Sequence, residues 1–232
     1  MDGLLLVDKP KGWTSFDVVA KVRGLIRAES KRQGLERKIK VGHTGTLDPL
    51  AMGLLVLAIG SYTKKVPELT KQDKTYEAEM VLGHTSTTDD AEGQITEVSN
   101  RQPTLEELTE VLGTFIGTID QVPPQFSAIK VGGVKSYDAA RRGETVEYKP
   151  RTVTIHTMSD VAYEYPHVRF TVGVGSGTYI RSLARDVGER LGTGAYLSEL
   201  RRTTVGSFNI QNAVSMEGIS YESIAAALIQ QN

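Results

Sequence analysis

One carboxylate, Asp48, lies in the stretch of this chain whose residue types best suit chemistry. His43 precedes it, Pro49 follows it at once, and an apolar run at 54–59 comes next between two glycines. A short apolar run bounded by glycines predicts a buried strand. Asp48 is therefore expected in a tight loop beside the core, where an unpaired carboxylate is costly and a partner is needed.

The same residues allow a purely structural interpretation. Asp followed by Pro is typical of a helix start, with Asp48 as the N-cap and Pro49 at the first helical position. A cap also fixes the direction of a side chain, so capping and catalysis are compatible. Local spacing leaves both interpretations open.

Two further candidates stand out because of their places in predicted elements. Alternation over 74–82 predicts a strand with Tyr76 on its inward face, although a core tyrosine gives the same pattern. The glycine-rich stretch 173–178 leads into a predicted helix, and Arg181 falls in its first turn. A cation there opposes the helix dipole, so Arg181 is expected either to pair with a carboxylate or to face solvent. The glycine spacing is not a dinucleotide fingerprint and indicates at most a weak anion site.

The remaining patterns predict strands and helices around these candidates, without internal repeats. Strands are expected at 3–7, 152–158 and 167–174. Helices are expected after an N-cap at Thr14 or Ser15, from a capping box at Thr104 to about Phe115, and at 219–231. The basic stretch 29–40 has few apolar residues and is expected to be a loop. Residues 124–151 are expected to form an arm-like insertion.

Charge is segregated along the chain despite a net charge of −1 over 232 residues. Basic residues concentrate at 21–40, 141–151 and 181–202, and acidic residues at 89–110. Such a protein can present a basic face to a polyanion, although ordinary solvated surface charge is an equal alternative.

Composition excludes several classes of site. The chain has no cysteine, which excludes disulfides, thiolate nucleophiles and Cys-ligated zinc. The four histidines show no metal-ligand spacing. No apolar run is long enough to span a bilayer, and the first residues lack the features of a secretory signal. We therefore expect a cytoplasmic protein without a metal.

Several blocks of sequence, in order, closely resemble the TruB family of tRNA pseudouridine synthases. They are G-H-T-G-T-L-D-P-L-A at 42–51, Tyr76 on its strand, P-P-Q-F-S-A-I-K at 123–130 and G-T-Y-I-R-S-L-A-R-D-V-G at 177–188. The first block is highly specific, and the likeness extends from Gly3 to about Val214.

The resemblance implies an α+β fold with a mixed, largely antiparallel sheet, flanking helices and an active site in a central cleft. It implies one catalytic domain over 1–232, with the insertion at about 124–151 and no separate C-terminal RNA-binding domain. The implied reaction converts uridine 55 in the T loop of tRNA to pseudouridine without metal or cofactor. The implied partner is the T arm of tRNA, with no membrane and no protein partner.

The resemblance also implies roles for individual residues. Asp48 is the catalytic carboxylate and attacks either the ribose C1′ or the uracil ring. Arg181 pairs with Asp48 and keeps it ionised, since a nearby opposite charge favours the charged form. Tyr76 stacks on the uracil and helps to remove the C5 proton. The other residues expected to bind the base are His43, Tyr179 and Leu200. The residues expected to contact the RNA backbone are Lys64, Lys130, Arg141, Arg142 and Arg202.

Two other functions are weighed against this one. The first is a tRNA-binding or folding factor, for which base flipping matters more than turnover. The second is a nucleotide-phosphate binder that uses the glycine-rich stretch 173–178. The complete set of Asp48, Tyr76 and Arg181 favours the enzyme.

Overall fold

A computed structural model describes residues 1–35, 39–126, 130–131, 134–135 and 148–230. The chain divides into two compact units. The first unit comprises Met1–Tyr76 and Leu200–Asn232, and the second comprises Glu77–Glu199.

Helices separate groups of consecutive strands along the chain. The strands are β1 Gly3–Lys9, β2 Val41–His43, β3 Met52–Ile59, β4 Lys74–Leu82, β5 His84–Ser86, β6 Ile95–Glu97, β7 Gly117–Gln121, β8 Lys130–Val131, β9 Val134–Lys135, β10 Arg151–Glu164, β11 His167–Val174, β12 Ala195–Val205, β13 Phe208–Asn209 and β14 Val214–Ser215. The α-helices are α1 Ser15–Arg32, α2 Val66–Leu69, α3 Leu105–Gly113, α4 Ile180–Leu191 and α5 Tyr221–Ala226. Short 3₁₀ helices cover Gly60–Lys65 and Ile210–Asn212. None of the helices in these described ranges is long and apolar enough to cross a membrane.

The first unit is built around β3, the predicted buried strand. Its sheet has the order β14-β1-β3-β12, with β2 also paired to β3 and β13 to β12. β1 and β2 run antiparallel to β3, whereas β12 runs parallel to it. Every residue from Leu54 to Ile59 is buried, which confirms the prediction from the apolar run. The Asp48 loop, residues 44–51, leads directly into this strand.

Helix α1 is longer than the sequence pattern predicts. Thr14 is its N-cap and forms a capping box with Asp17. The prediction of a loop from residue 29 is wrong for 29–32, because the helix continues to Arg32. There Glu29 accepts hydrogen bonds from Arg32 and Gln33, and such pairs three and four residues apart stabilise a helix end.

The second unit places β4, β11, β10 and β7 side by side in that order. β10 runs antiparallel to both β11 and β7, and β5 and β6 form a separate antiparallel pair. The capping box predicted at Thr104 is confirmed, because its side chain accepts from Glu107 N and the Glu107 side chain bonds back. Helix α3 packs against α4.

The predicted α+β class is confirmed, since both units combine helices with mostly antiparallel strands. The expected C-terminal helix is shorter than predicted and covers only Tyr221–Ala226. Most of the arm-like insertion lies outside the described residues. The organisation of residues 1–232 as one catalytic domain stays a prediction.

Gly53 supplies a test of how closely β3 and β12 approach each other. Its φ is +99°, and an added Cβ would lie 2.3 Å from the carbonyl oxygen of Arg202. Gly53→Ala should lower the free energy of unfolding by about 1–2 kcal/mol through backbone strain. The clash should add a further ~1–3 kcal/mol, because a well-packed core resists added volume.

Gly12→Ala is the matched control in urea unfolding. Gly12 has φ +83°, but no atom lies within 4 Å of an added Cβ, so only the backbone strain applies. Equal losses of stability in the two variants would contradict the close approach of Gly53 to Arg202.

Candidate active site

The Asp48 loop is a tight turn between two strands. Thr44 N donates to Val56 O at 3.0 Å, and Ala51 N donates to Asp48 O at 3.1 Å. The following residues bend and then enter β3 at Met52. The helix-cap interpretation of Asp48 is therefore wrong, because the residues after it form a bend and then a strand, and no helix begins there. The expected loop beside the core is confirmed.

Buried side chains hold the residues on both sides of Asp48. The Ser15 hydroxyl accepts from Leu47 N at 2.8 Å and donates to Leu47 O at 3.0 Å. Lys9, which is fully buried, donates from Nζ to Trp13 O at 2.5 Å and to Pro49 O at 3.5 Å. These two side chains limit the movement of the backbone that carries Asp48.

His43, five residues before Asp48, has a buried Nδ1 with no hydrogen-bond partner among the described residues. Burial lowers the pKa of His43 below its ordinary 6.5, and the nearby charge of Arg202 lowers the pKa further. The imidazole is therefore favoured in its neutral form, which suits packing against a base better than a charged ring would.

Lys74 begins β4, two residues before Tyr76. It is buried and donates from Nζ to Thr70 O at 3.0 Å and to Gln72 O. Burial and, after it, the charge of Arg202 lower the pKa of Lys74 from 10.5 to about 8. The Asp48 loop is close by, because an added Cβ on Gly45 would lie 3.7 Å from Lys74 Cε.

Tyr76 and Leu200 are both largely buried, with exposures of 7% and 9%. The prediction that Tyr76 lies on the inward face of its strand is confirmed. Thr203 in β12 donates to Thr75 O, so β12 contacts β4 beside Tyr76. The first unit thus brings the Asp48 loop, the start of β4 and residues 200–203 of β12 close together.

Arg181 in the second unit is buried at the start of α4, with 6% exposure. Its Nη1 lies 3.3 Å from Asp90 Oδ2 and donates to Thr88 O at 3.1 Å, while Nη2 donates to Phe126 O at 2.8 Å. The alternative of a solvent-facing arginine is therefore wrong. Pairing with a carboxylate is confirmed for Asp90, whereas the pairing with Asp48 stays a prediction.

Asp90 is held as firmly as its partner. Only 2% of it is exposed, and its Oδ1 accepts from Thr88 Oγ1 at 2.5 Å and from Glu92 N at 3.0 Å. Asp90 was not among the predicted site residues. Its position in a turn between two short strands was a weak signal of its role.

Tyr179 is positioned by a second residue that the sequence did not suggest, Gln121. The Gln121 amide donates to Tyr179 O at 3.0 Å and accepts from Tyr179 N at 2.8 Å, and the side chain is buried. This paired contact fixes the backbone just before α4, which begins without a side-chain cap. A single amide at the end of a strand carries no sequence signal.

The predicted RNA-backbone residues fall in different environments. Lys64 is exposed in the 3₁₀ helix Gly60–Lys65, whereas Arg202 is only 2% exposed. The backbone of Lys130 belongs to β8, and its side chain lies outside the described residues, as do Arg141 and Arg142. Across the described ranges, no cluster of three or more acidic or histidine side chains is arranged to hold a metal.

Two family models together match most of the chain. One, described as the N-terminal domain of TruB family pseudouridylate synthase, matches residues 32–180. The other, described as the tRNA pseudouridylate synthase B C-terminal domain, matches residues 181–228. The chain belongs to the TruB family.

Similar proteins agree with this assignment to TruB. The chain is 45% identical over 233 residues to tRNA pseudouridine synthase B of Thermobifida fusca (strain YX), covering 95% of this chain and 75% of that protein. It is 41% identical over 229 residues to the protein of that name from Clostridium kluyveri, covering 99% and 76%. A chain in the crystal structure of a Cbf5-Nop10-Gar1 complex is 31% identical, with a TM-score of 0.70. That match covers 98% of the TruB-family chain and 59% of the solved chain.

The depressed pKa of His43 gives the TruB-family chain a predictable response to pH. Because the folded state disfavours protonation of His43, stability should fall as pH drops below about 6.5, the ordinary pKa of histidine. His43→Gln stays neutral and should lose less free energy of unfolding between about pH 7 and about pH 5. NMR titration should place the His43 midpoint below 6.5, and a midpoint above that value would contradict the assignment.

Asp90 and its neighbour Asp89 form a matched pair for testing the buried ion pair. Asp90→Asn leaves Arg181 without its Asp90 ion pair and should lower the free energy of unfolding by about 3 kcal/mol. Asp89→Asn should cost about 1 kcal/mol or less, because this pair with Arg185 is more exposed. Asparagine also tolerates the φ of 61° at position 89. Urea unfolding would contradict this account if the two variants lost equal stability.

Proposed function

We propose that this chain isomerises uridine 55 in the T loop of tRNA to pseudouridine, with Asp48 as the catalytic carboxylate. The observation that carries the proposal is the G-H-T-G-T-L-D-P-L-A sequence folded as a loop that buried side chains hold on both sides of Asp48. The TruB-family match and the names of the similar proteins support the same reaction.

The reaction needs a nucleophile that forms a temporary covalent bond to the substrate and then leaves. The Asp48 carboxylate attacks the ribose C1′ or the uracil ring, and the bond between N1 and C1′ breaks. The uracil turns and forms a new bond from C5 to C1′, and the carboxylate leaves. The C5 proton is lost and N1 gains a proton, so the product is an isomer of the substrate. Covalent catalysis of this kind divides one difficult step into two.

The remaining site residues have roles that follow from base flipping. A uridine in a stacked loop must leave the stack before its C1′ and C5 can react, and aromatic and apolar side chains then hold it. We assign this binding to Tyr76, Tyr179, Leu200 and His43, with Tyr76 also assisting the loss of the C5 proton. The pairing of Arg181 with Asp48, which would keep the carboxylate ionised, belongs to the proposal.

The exposed face of α1 suits a polyanionic partner such as tRNA. Lys21, Arg23, Arg27 and Lys31 are exposed there, whereas Asp17 is engaged in the N-terminal capping box. Lysines and arginines placed along one face bind phosphates without reading sequence. A tRNA substrate and a cytoplasmic location are parts of this proposal.

Asp48→Asn tests the proposed chemistry directly. Tritium release from tRNA labelled at uracil C5 should fall by about 10³-fold or more, the order expected when a nucleophile is removed. Binding of tRNA should stay close to that of the unchanged protein, because only a charge on the reacting group is lost. Asp160→Asn is the control, since Asp160 is exposed and its φ of 53° suits asparagine.

The outcomes separate the competing functions. Tritium release by Asp48→Asn at the rate of the unchanged protein would contradict a catalytic Asp48. An unchanged protein that binds tRNA but releases no tritium would indicate a folding factor. Pseudouridine mapped outside the T loop would keep the reaction and overturn the substrate.

A further inference from the structure

Arg202 is buried in the first unit, although an arginine in a basic segment was predicted to contact the RNA backbone. Only 2% of the residue is exposed. Its Nε donates to Leu54 O at 2.7 Å, Nη2 donates to Gly45 O at 3.1 Å, and Nη1 lies 3.5 Å from Thr46 O. We propose that Arg202 is a positioning residue that holds the Asp48 loop in place for catalysis. This inference rests on the proposed function.

Along the sequence, the three carbonyls belong to residues before and after the catalytic carboxylate. Gly45 and Thr46 precede Asp48, and Leu54 follows it at the start of the buried strand. One guanidinium therefore ties the first half of the loop to the strand that ends it. A planar group with several donors in a rigid fork can bridge such acceptors, whereas a single ammonium cannot do so with the same geometry.

The backbone of Arg202 is fixed as closely as its side chain. Arg202 pairs with Gly53 across the parallel contact between β12 and β3. An added Cβ on Gly53 would meet Arg202 O at 2.3 Å and Arg202 N at 2.8 Å, so glycine is required for this approach. The side chain then runs towards Gly45, whose added Cβ would lie 3.6 Å from Arg202 Nη1.

Because it is buried, Arg202 is less suited to bind phosphate than an exposed lysine or arginine. A phosphate contact would require the guanidinium to leave its carbonyl partners, and each hydrogen bond to a charged donor is costly to break. Lys64 is exposed, so its ammonium can reach a phosphate without leaving a buried site. The charge of Arg202 also contributes, after burial, to lowering the pKa of both His43 and Lys74, so the cation acts within this unit.

Arg202→Lys and Arg202→Gln distinguish positioning from phosphate binding. If Arg202 positions the loop, Arg202→Gln should slow single-turnover pseudouridine formation by about 10²-fold, the effect of a displacement of roughly 1 Å. The Kd for tRNA and its dependence on salt should not change. Arg202→Lys keeps the charge and should recover part of the rate. Lys71→Gln, which removes an exposed charge in the same unit, is the control and should leave the rate unchanged.

The opposite pattern would overturn the inference. A phosphate contact predicts that the slope of log K against log salt becomes shallower by about 0.7–0.9, with an unchanged single-turnover rate. Hydrogen exchange adds a readout that does not depend on turnover. The backbone amides of residues 44–48, 50 and 51 should exchange faster in Arg202→Lys at equal global stability. Unchanged exchange there would contradict the positioning role.

The unchanged protein provides a test if both variants fail to fold. Side-chain N–H signals of Arg202, in protein labelled with ¹⁵N-arginine, should be protected from solvent and keep their positions when tRNA binds. Loss of protection, or a large shift on binding, would show that Arg202 faces the RNA. Lack of pseudouridine formation by the unchanged protein would instead refute the proposed function, and the exchange and NMR results would still decide how Arg202 acts.

Discussion

The candidate site depends on hydrogen bonds from buried side chains to backbone carbonyls, because these bonds hold the Asp48 loop. Lys9, Ser15 and Arg202 all donate to carbonyls of the Asp48 loop or of the strand that follows it. A loop has few regular hydrogen bonds of its own, so these side chains supply what a helix or sheet supplies elsewhere. The result is a carboxylate on irregular backbone that is nevertheless held in one place, as catalysis requires.

Buried cations in the first unit have consequences beyond geometry. Lys9, Lys74 and Arg202 are all largely removed from solvent, and each donates hydrogen bonds to backbone carbonyl oxygens. Burial and, after it, the positive charge of Arg202 lower the pKa values of His43 and Lys74. The first unit therefore favours the neutral imidazole of His43.

In the second unit, a carboxylate compensates the charge of a buried arginine. Arg181 and Asp90 are both buried, and hydrogen bonds from Thr88 and Glu92 satisfy the remaining oxygen of Asp90. Breaking one member of a buried pair is more harmful than lacking the pair, because the other charge stays buried. Gln121 does the equivalent for Tyr179 through an uncharged, two-way contact. Both arrangements fix residues at the start of α4.

Local pattern in the sequence determined the elements whose signals are short-ranged. The apolar run predicted β3, and a specific motif identified Asp48 and the family. An N-cap expected at Thr14 or Ser15 predicted the start of α1, and a capping box at Thr104 predicted the start of α3. Only tertiary structure decided which polar residues hold the site. Arg202 binds the carbonyl of Leu54, which is 148 positions away, and alternation along β12 places it inward beside Leu200. A sequence-based interpretation expects an arginine to face solvent, because the acceptors that make its burial tolerable are brought to it only when the strands pair.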